Sequence, residues 1–188
     1  MLGPRCFQVA EIAVAAFILA PDASGSPQSN LGLTVGGGVE NVVGGPAGHG
    51  VFHLGARADT LFLRRRGDQM ALGPYLDVAT SSFDNLDTGG GAEWLLPIRD
   101  DLPIVLSAGA FWRNGGGRVW APGVEGEVFF GSRSYNFHSW YGLAGGLFVQ
   151  TRWLLPSPAT LDVILGVQLD AVLLALPALL LYEAVAKK

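Results

Sequence analysis

The sequence predicts an all-β fold: an eight-stranded antiparallel up-and-down transmembrane β-barrel with a short, helix-prone C-terminal tail. Three observations carry that prediction. Between Leu31 and Ala171 apolar residues recur at every second position in eight successive stretches, the period of a strand with two unlike faces. The stretches are joined by short connections rich in Gly, Pro, Asp and Asn, which suits a meander. The longest run from one aromatic residue to another, Trp120 to Phe130 and Tyr141 to Trp153. At about 3.3 Å per residue and a tilt near 40°, each spans roughly 25–30 Å, the height of a bilayer's apolar layer.

Composition is consistent with that fold and excludes others. The chain has 188 residues, one domain's worth, with 49% hydrophobic and only 15% charged residues, low for a water-facing surface. No uninterrupted apolar run reaches eighteen residues, which argues against a bundle of membrane helices. The net charge of −4 and the lack of a basic patch beyond Arg64-Arg65-Arg66 give no sign of a nucleic-acid partner. Both lysines, Lys187 and Lys188, fall at the end, so the barrel uses arginine alone. A GC-rich genome would do this, and so would enclosed positions where a guanidinium pairs carboxylates through two bonds. Cys6 stands alone, which excludes an internal disulfide and a multi-cysteine metal site.

Taken in order, residues 1–25 read as a secretory signal. Arg5 is the positive start, Phe7 to Ala20 the apolar core (interrupted by Glu11), and Ala23-Ser24-Gly25-Ser26 the small-residue cleavage region. Residues 26–30 form a polar leader, and 26–171 the barrel. Segment one, Leu31 to Val43, puts Leu31, Leu33, Val35 and Val39 opposite Thr34 and Glu40. Segment two, Val51 to Leu63, puts Phe52, Leu54, Ala56, Ala58 and Phe62 opposite His53, Arg57 and Asp59. Segment three, Met70 to Phe83, sets Leu72, Leu76 and Val78 against Tyr75, Asp77 and Ser81, and Asp84 to Gly90 reads as a polar connection. Segment four, Gly91 to Arg99, sets Trp94, Leu96 and Ile98 against Glu93 and Arg99. Segment five, Pro103 to Arg113, sets Ile104, Leu106, Ala108, Ala110 and Trp112 against Ser107, Gly109 and Arg113. After Gly115-Gly116-Gly117, segment six runs to Asn136, with Trp120, Pro122, Val124, Val128 and Phe130 opposite Glu125, Glu127 and Arg133. Segment seven, His138 to Trp153, sets Tyr141, Leu143, Leu147, Val149 and Trp153 against His138, Gln150 and Arg152. Segment eight, Thr160 to Ala171, sets Leu161, Val163, Leu165, Val167 and Leu169 against Asp162, Gln168 and Asp170. From Val172 to Lys188 the alternation stops. Pro177 suits a helix start, and the two terminal lysines suit the end of a helix dipole. This tail reads as an interfacial helix, a lid, a fraying end or a segment that docks another envelope protein.

The same alternation fits a soluble secreted barrel or sandwich acting as a binding module, with its faces reversed. The aromatics distinguish the two. With odd strands running one way and even strands the other, Phe52, Trp94, Trp112, Trp120 and Trp153 are expected at one rim, and Phe62, Phe130 and Tyr141 at the other. Two aromatic girdles around an apolar band are what a membrane barrel needs, because amphipathic rings settle at the headgroup level. In hydrocarbon an unpaired strand edge is costly, so segment eight is expected to pair with segment one.

On these patterns the chain resembles the small eight-stranded outer-membrane barrels, the OmpA- and OmpX-like group, over Leu31 to Ala171. Its last strand, Ile164-Leu165-Gly166-Val167-Gln168-Leu169-Asp170-Ala171, is similar to the assembly signal of those proteins. It departs in Ile164, in lacking a terminal aromatic, and in continuing past Ala171. The resemblance implies an outer-membrane location with the N-terminus and even-numbered turns toward the periplasm and the Trp-rich rim outside.

Such a barrel would turn its charges inward. The expected lumen cluster is Arg57 with Asp59, Asp77, Glu125 and Glu127 at mid-height, the other arginines lying near the rims. Arg57 should reach Glu125 and Glu127 because strands two and six stand opposite. Eight strands leave just enough room for side chains, so the cluster reads first as a packed ionic core, its surplus acid offset by a proton, waters or a cation. No Ser/His/Asp pattern, metal spacing or phosphate loop is present, and no cofactor is expected. His138-Ser139 is a poor dyad, since neighbours in a strand point to opposite faces, and His49 and His53 read as a turn and a rim residue. The expected partner is the lipid bilayer. The role is structural or docking, with a lipid-modifying enzyme and a narrow ion conduit as the alternatives.

Overall fold

The computed structural model describes residues 27–43, 48–100, 102–134, 140–155 and 159–173. The signal-like segment, the His138-Ser139 pair and all of the tail beyond Leu173 lie outside the described residues. Eight strands follow one another: β1 (Gln28–Val43), β2 (His49–Leu61), β3 (Ala71–Ser81), β4 (Asn85–Arg99), β5 (Leu102–Gly115), β6 (Arg118–Arg133), β7 (Ala144–Leu154) and β8 (Thr160–Asp170). Each pairs antiparallel with the next, and β8 pairs with β1, so the sheet is a closed up-and-down barrel. Closure leaves no strand edge.

The register sets the tilt. Stepping from Leu31 through its paired positions Ala58, Leu76, Gly90, Ala110, Val124, Trp153 and Leu161 leads back to β1 at Val43, far up the strand from the start. A bulge between Val39 and Val43 takes up part of that climb. Such a stagger makes strands lean about 40° from the barrel axis. Strands of 11 to 16 residues then stand roughly 28 Å tall or more.

The pleat turns one parity inward on every strand. The inward set includes Thr34, His53, Arg57, Asp59, Asp77, Asp87, Glu93, Arg113, Glu125, Glu127, Arg133, Arg152, Asp162 and Asp170, all buried. The outward set includes Leu31, Val35, Leu76, Val78, Leu106, Val124, Val128, Leu147, Val149, Leu165 and Val167, all exposed. The barrel is thus charged inside and apolar outside, the reverse of a β-fold that faces water. Two apolar groups complete the interior. Leu61, Ala71, Leu95, Val105, Phe129, Phe148 and Ile164 pack from the lower end toward mid-height, and Phe111, Ala121 and Leu154 pack near the upper end. Here "lower" means the end holding the start of β1.

Several boundaries differ from the sequence reading. β1 begins at Gln28, inside the supposed leader, and Ser29 bridges to Tyr141. β7 begins only at Ala144. The largest difference is β4, which starts at Asn85, not Gly91. The stretch Asn85 to Gly90 has turn-forming residues, yet Asp87 pairs with Ala79 on one side and Arg113 on the other. Its polar residues are strand residues whose inward face is the charged lumen. The tight turns lie elsewhere: at Gly116 and Gly117, with φ of 59° and 79°, and at Ser82-Phe83, whose φ are also positive. At its lower end the chain leaves β8 in a helical turn over 171–173, where the Val172 amide donates to Asp170 Oδ1 at 2.7 Å.

Candidate functional site

The lumen gathers the chemistry-bearing side chains, in two ionic groups joined by a tyrosine. In the upper group, Arg113 grips Asp87 with two bonds, Nε to Oδ1 and Nη2 to Oδ2, both 2.7 Å. Its third nitrogen donates to Asp162 at 2.7 Å, and Glu40 lies 3.8 Å away. Arg152 donates to Asp87 at 2.8 Å and Asp77 at 2.7 Å, and its Nε stands 3.3 Å from Glu125. Arg152 is among the most deeply buried side chains. Asp87 is therefore shared by two guanidiniums.

In the lower group, Arg57 contacts Glu127 at 3.1 Å and Glu93 at 3.2 Å, and donates to Ser107 Oγ at 2.6 Å. Arg133 pairs with Asp59 and reaches Glu93 at 3.4 Å. Tyr75 links the groups: its ring lies 3.8 Å under the Arg57 guanidinium, and its hydroxyl donates to Glu125 at 2.9 Å. Small residues make this density of charge possible. A Cβ on Gly89 would stand 2.5 Å from Asp77 Oδ1 and 2.9 Å from Glu125 Oε1, so the glycine leaves the space both carboxylates occupy. At the lower rim, beside the start of β1, the Tyr141 phenol is pushed above its ordinary range by burial, and Asp170 beside it adds to the rise against an opposing backbone bond to Leu31.

Of the residues singled out from sequence, Arg57 and Glu127 meet directly across the lumen. The others divide differently. Asp59 turns to Arg133, while Asp77 and Glu125 both belong to Arg152. The reason is the stagger, which lifts β7 relative to β2 and brings Arg152 to the level of the acids on β3, β4 and β6. Arg113, Arg133 and Arg152 are interior partners of these acids, whereas Arg99 is exposed at the lower end of β4. Asp87 escaped the sequence reading because it sat in a supposed connection. The signal was there: Asp87 shares the parity of Glu93 if the strand is extended back to Asn85. His53 is not a rim residue; it is buried, 3.2 Å from Thr34 Oγ1 and edge-on to Phe148.

Outside, Phe52, Trp112, Trp120 and Trp153 stand near the upper end of the barrel. Phe62, Phe130 and Tyr141 stand near the lower end. Trp94 is the exception to the expected sorting. It pairs with Leu72, at the start of β3, and so lies in the lower half, because β4 begins six residues earlier than its apolar alternation suggested.

No family model, curated protein or solved structure matches this chain. Among the described residues no group of three His, Cys, Asp or Glu side chains is placed to hold a metal ion. Two of the small cavities among the described residues of the lumen measure about 10 Å³, each room for about one water. Arg57 and Glu127 line both, so their ion pair stands between the two. What this arrangement does chemically is neutralise charge in a packed interior.

Proposed function

We propose that this protein is an integral β-barrel of a bacterial outer membrane, with a packed ionic lumen and a structural or docking role in the envelope. One observation carries the reading: a continuous outward face of Leu, Val, Ile, Phe and Trp encloses a lumen of paired Arg, Asp and Glu. Water would penalise that exterior, since exposed apolar patches beyond a few hundred Å² are rare on soluble proteins. A bilayer favours it. The strand heights and the aromatics near both ends support the same reading, and so does the closed ring, which leaves no backbone edge in hydrocarbon. The pattern likeness to the OmpA- and OmpX-like barrels is part of the proposal, as is a docking role for the tail from Val172 to Lys188.

The small size of these two cavities favours a plug over a conduit, and among the described residues no arrangement of nucleophile and base favours a lipid-modifying enzyme. The test is cell fractionation followed by gel migration with and without boiling. The expected result is recovery in the outer membrane and a shifted band in the unboiled sample. Recovery as a soluble protein with one band position would overturn the reading. Planar-bilayer recording then separates plug from conduit, with steady ion conductance excluding the plug.

A further inference from the structure

One of the two small cavities has an unusual lining: Thr34, His53, Arg57, Asp77, Glu127 and Gln150 supply all of its polar wall. Three of these side chains each carry a buried polar atom with no hydrogen-bond partner, namely His53 Nδ1, Asp77 Oδ1 and Gln150 Oε1. All three residues are more than nine-tenths buried, with exposures of 1%, 7% and 2%. Leaving even one such atom unsatisfied costs about 1–3 kcal/mol on general grounds, so three around one small space call for a shared partner.

We propose that this cavity is a binding site for a single water molecule, which accepts a hydrogen bond from His53 Nδ1 and donates one each to Asp77 and Gln150. Size allows one such molecule. A cation is the poorer match. Among the described residues no three His, Cys, Asp or Glu side chains are placed to hold one, and Asp77 and Glu127 each already contact a guanidinium, at 2.7 Å to Arg152 and 3.1 Å to Arg57. Hydrogen-bonding capacity also matches. Asp77 and Gln150 present oxygens that only accept, and water has two protons to give. The third partner must then donate, which fixes the imidazole as the tautomer protonated at Nδ1. Its other nitrogen, Nε2, becomes the acceptor for the Thr34 hydroxyl at 3.2 Å. Phe148 packs edge-on against the imidazole at 5.8 Å and supports this orientation. One neutral ligand thus satisfies every orphaned atom in the wall. This site does not depend on where in the cell the barrel resides.

The test is nitrogen-15 NMR of the full chain, refolded in detergent micelles in sodium chloride and separately in choline chloride at equal ionic strength. The sequence holds three histidines, so His49→Gln and His138→Gln variants assign the remaining signal to His53. The expected spectrum has a protonated Nδ1, a bare Nε2, and a cross-peak from the Nδ1 proton to a long-lived water, identical in both salts. A ring protonated at Nε2, or at both nitrogens at neutral pH, would overturn the proposal. So would the absence of the water cross-peak, and a sodium-dependent shift of the His53 signals would replace water by a cation. Thr34→Val removes the donor to Nε2 but leaves the water, so the ring is expected to stay protonated at Nδ1 while the Nε2 resonance shifts to that of an unbonded nitrogen. A ring that switches to the Nε2-protonated form there would overturn the assignment, and the unsubstituted protein decides the matter if that variant does not fold.

Discussion

Arg152 illustrates how a single residue is held by this barrel. Three carboxylates, Asp77, Asp87 and Glu125, converge on one fully enclosed guanidinium. Taking those charges from water is costly, and the geometry offsets the cost only while every partner is present. Removing a partner from a buried ion pair costs about 3–5 kcal/mol. Arg152→Ala is expected to fall at the upper end of that range in equilibrium unfolding from lipid vesicles. Arg57→Ala strands Glu127 and Glu93 but leaves Arg133 to serve Glu93, so its loss should be smaller, though still visible as a lower unfolding temperature on gels. A larger effect at Arg57 than at Arg152, or none at either, would refute this division of the lumen. Arg152→Lys should fall between, because an ammonium keeps the charge but not the fork that reaches three acids. Only part of this was readable in the sequence. The parity of Arg57 and Glu127, and their meeting across the ring, follow from strand order. The partner of Asp77 does not, because it depends on how far the closing register lifts β7.

Among the elements, β4 is the one where local and tertiary preferences disagree. Asn85, Asp87, Gly89 and Gly90 favour turns by themselves. They form strand because β3 and β5 supply ladder partners on both sides, and because an inward-facing Asp here meets two arginines. Backbone amides from Leu86 to Gly90 are therefore expected to resist hydrogen exchange as strongly as those of the central part of β5. Exchange at loop rates would restore the shorter strand and contradict the pairing. The same extension moves Trp94 to the lower half, opposite to the level its place in the shorter strand implied. Its turn-forming composition encodes a lining for the polar lumen and not a connection.

For the whole molecule the deciding quantity is which face meets the solvent. The closed ring with charge inside could persist in water only by leaving its apolar outside exposed. The membrane reading therefore makes a quantitative prediction at Val149, outward-facing and about mid-height on β7. Val149→Arg is expected to destabilise the vesicle-inserted barrel by about 2–4 kcal/mol, the penalty for a charge at the bilayer midplane. If that face met water, the same change would lie within about 0.5 kcal/mol of neutral, as surface substitutions usually do. Urea titration in vesicles measures it, and a neutral result would count against the membrane reading.

The sequence by itself determined the number of strands, their order, the alternation of faces and the meander, because a period of two is a local property of the backbone and short turns permit little else. It also determined that one face is apolar and the other charged. Tertiary structure decided the remainder: where β4 begins, which rim Trp94 occupies, that Asp77 and Glu125 belong to Arg152, and that His53 is enclosed beside Thr34 and Phe148. These depend on the stagger with which β8 closes onto β1. That stagger is a property of the ring, shared among all its ladders, and no single strand encodes it.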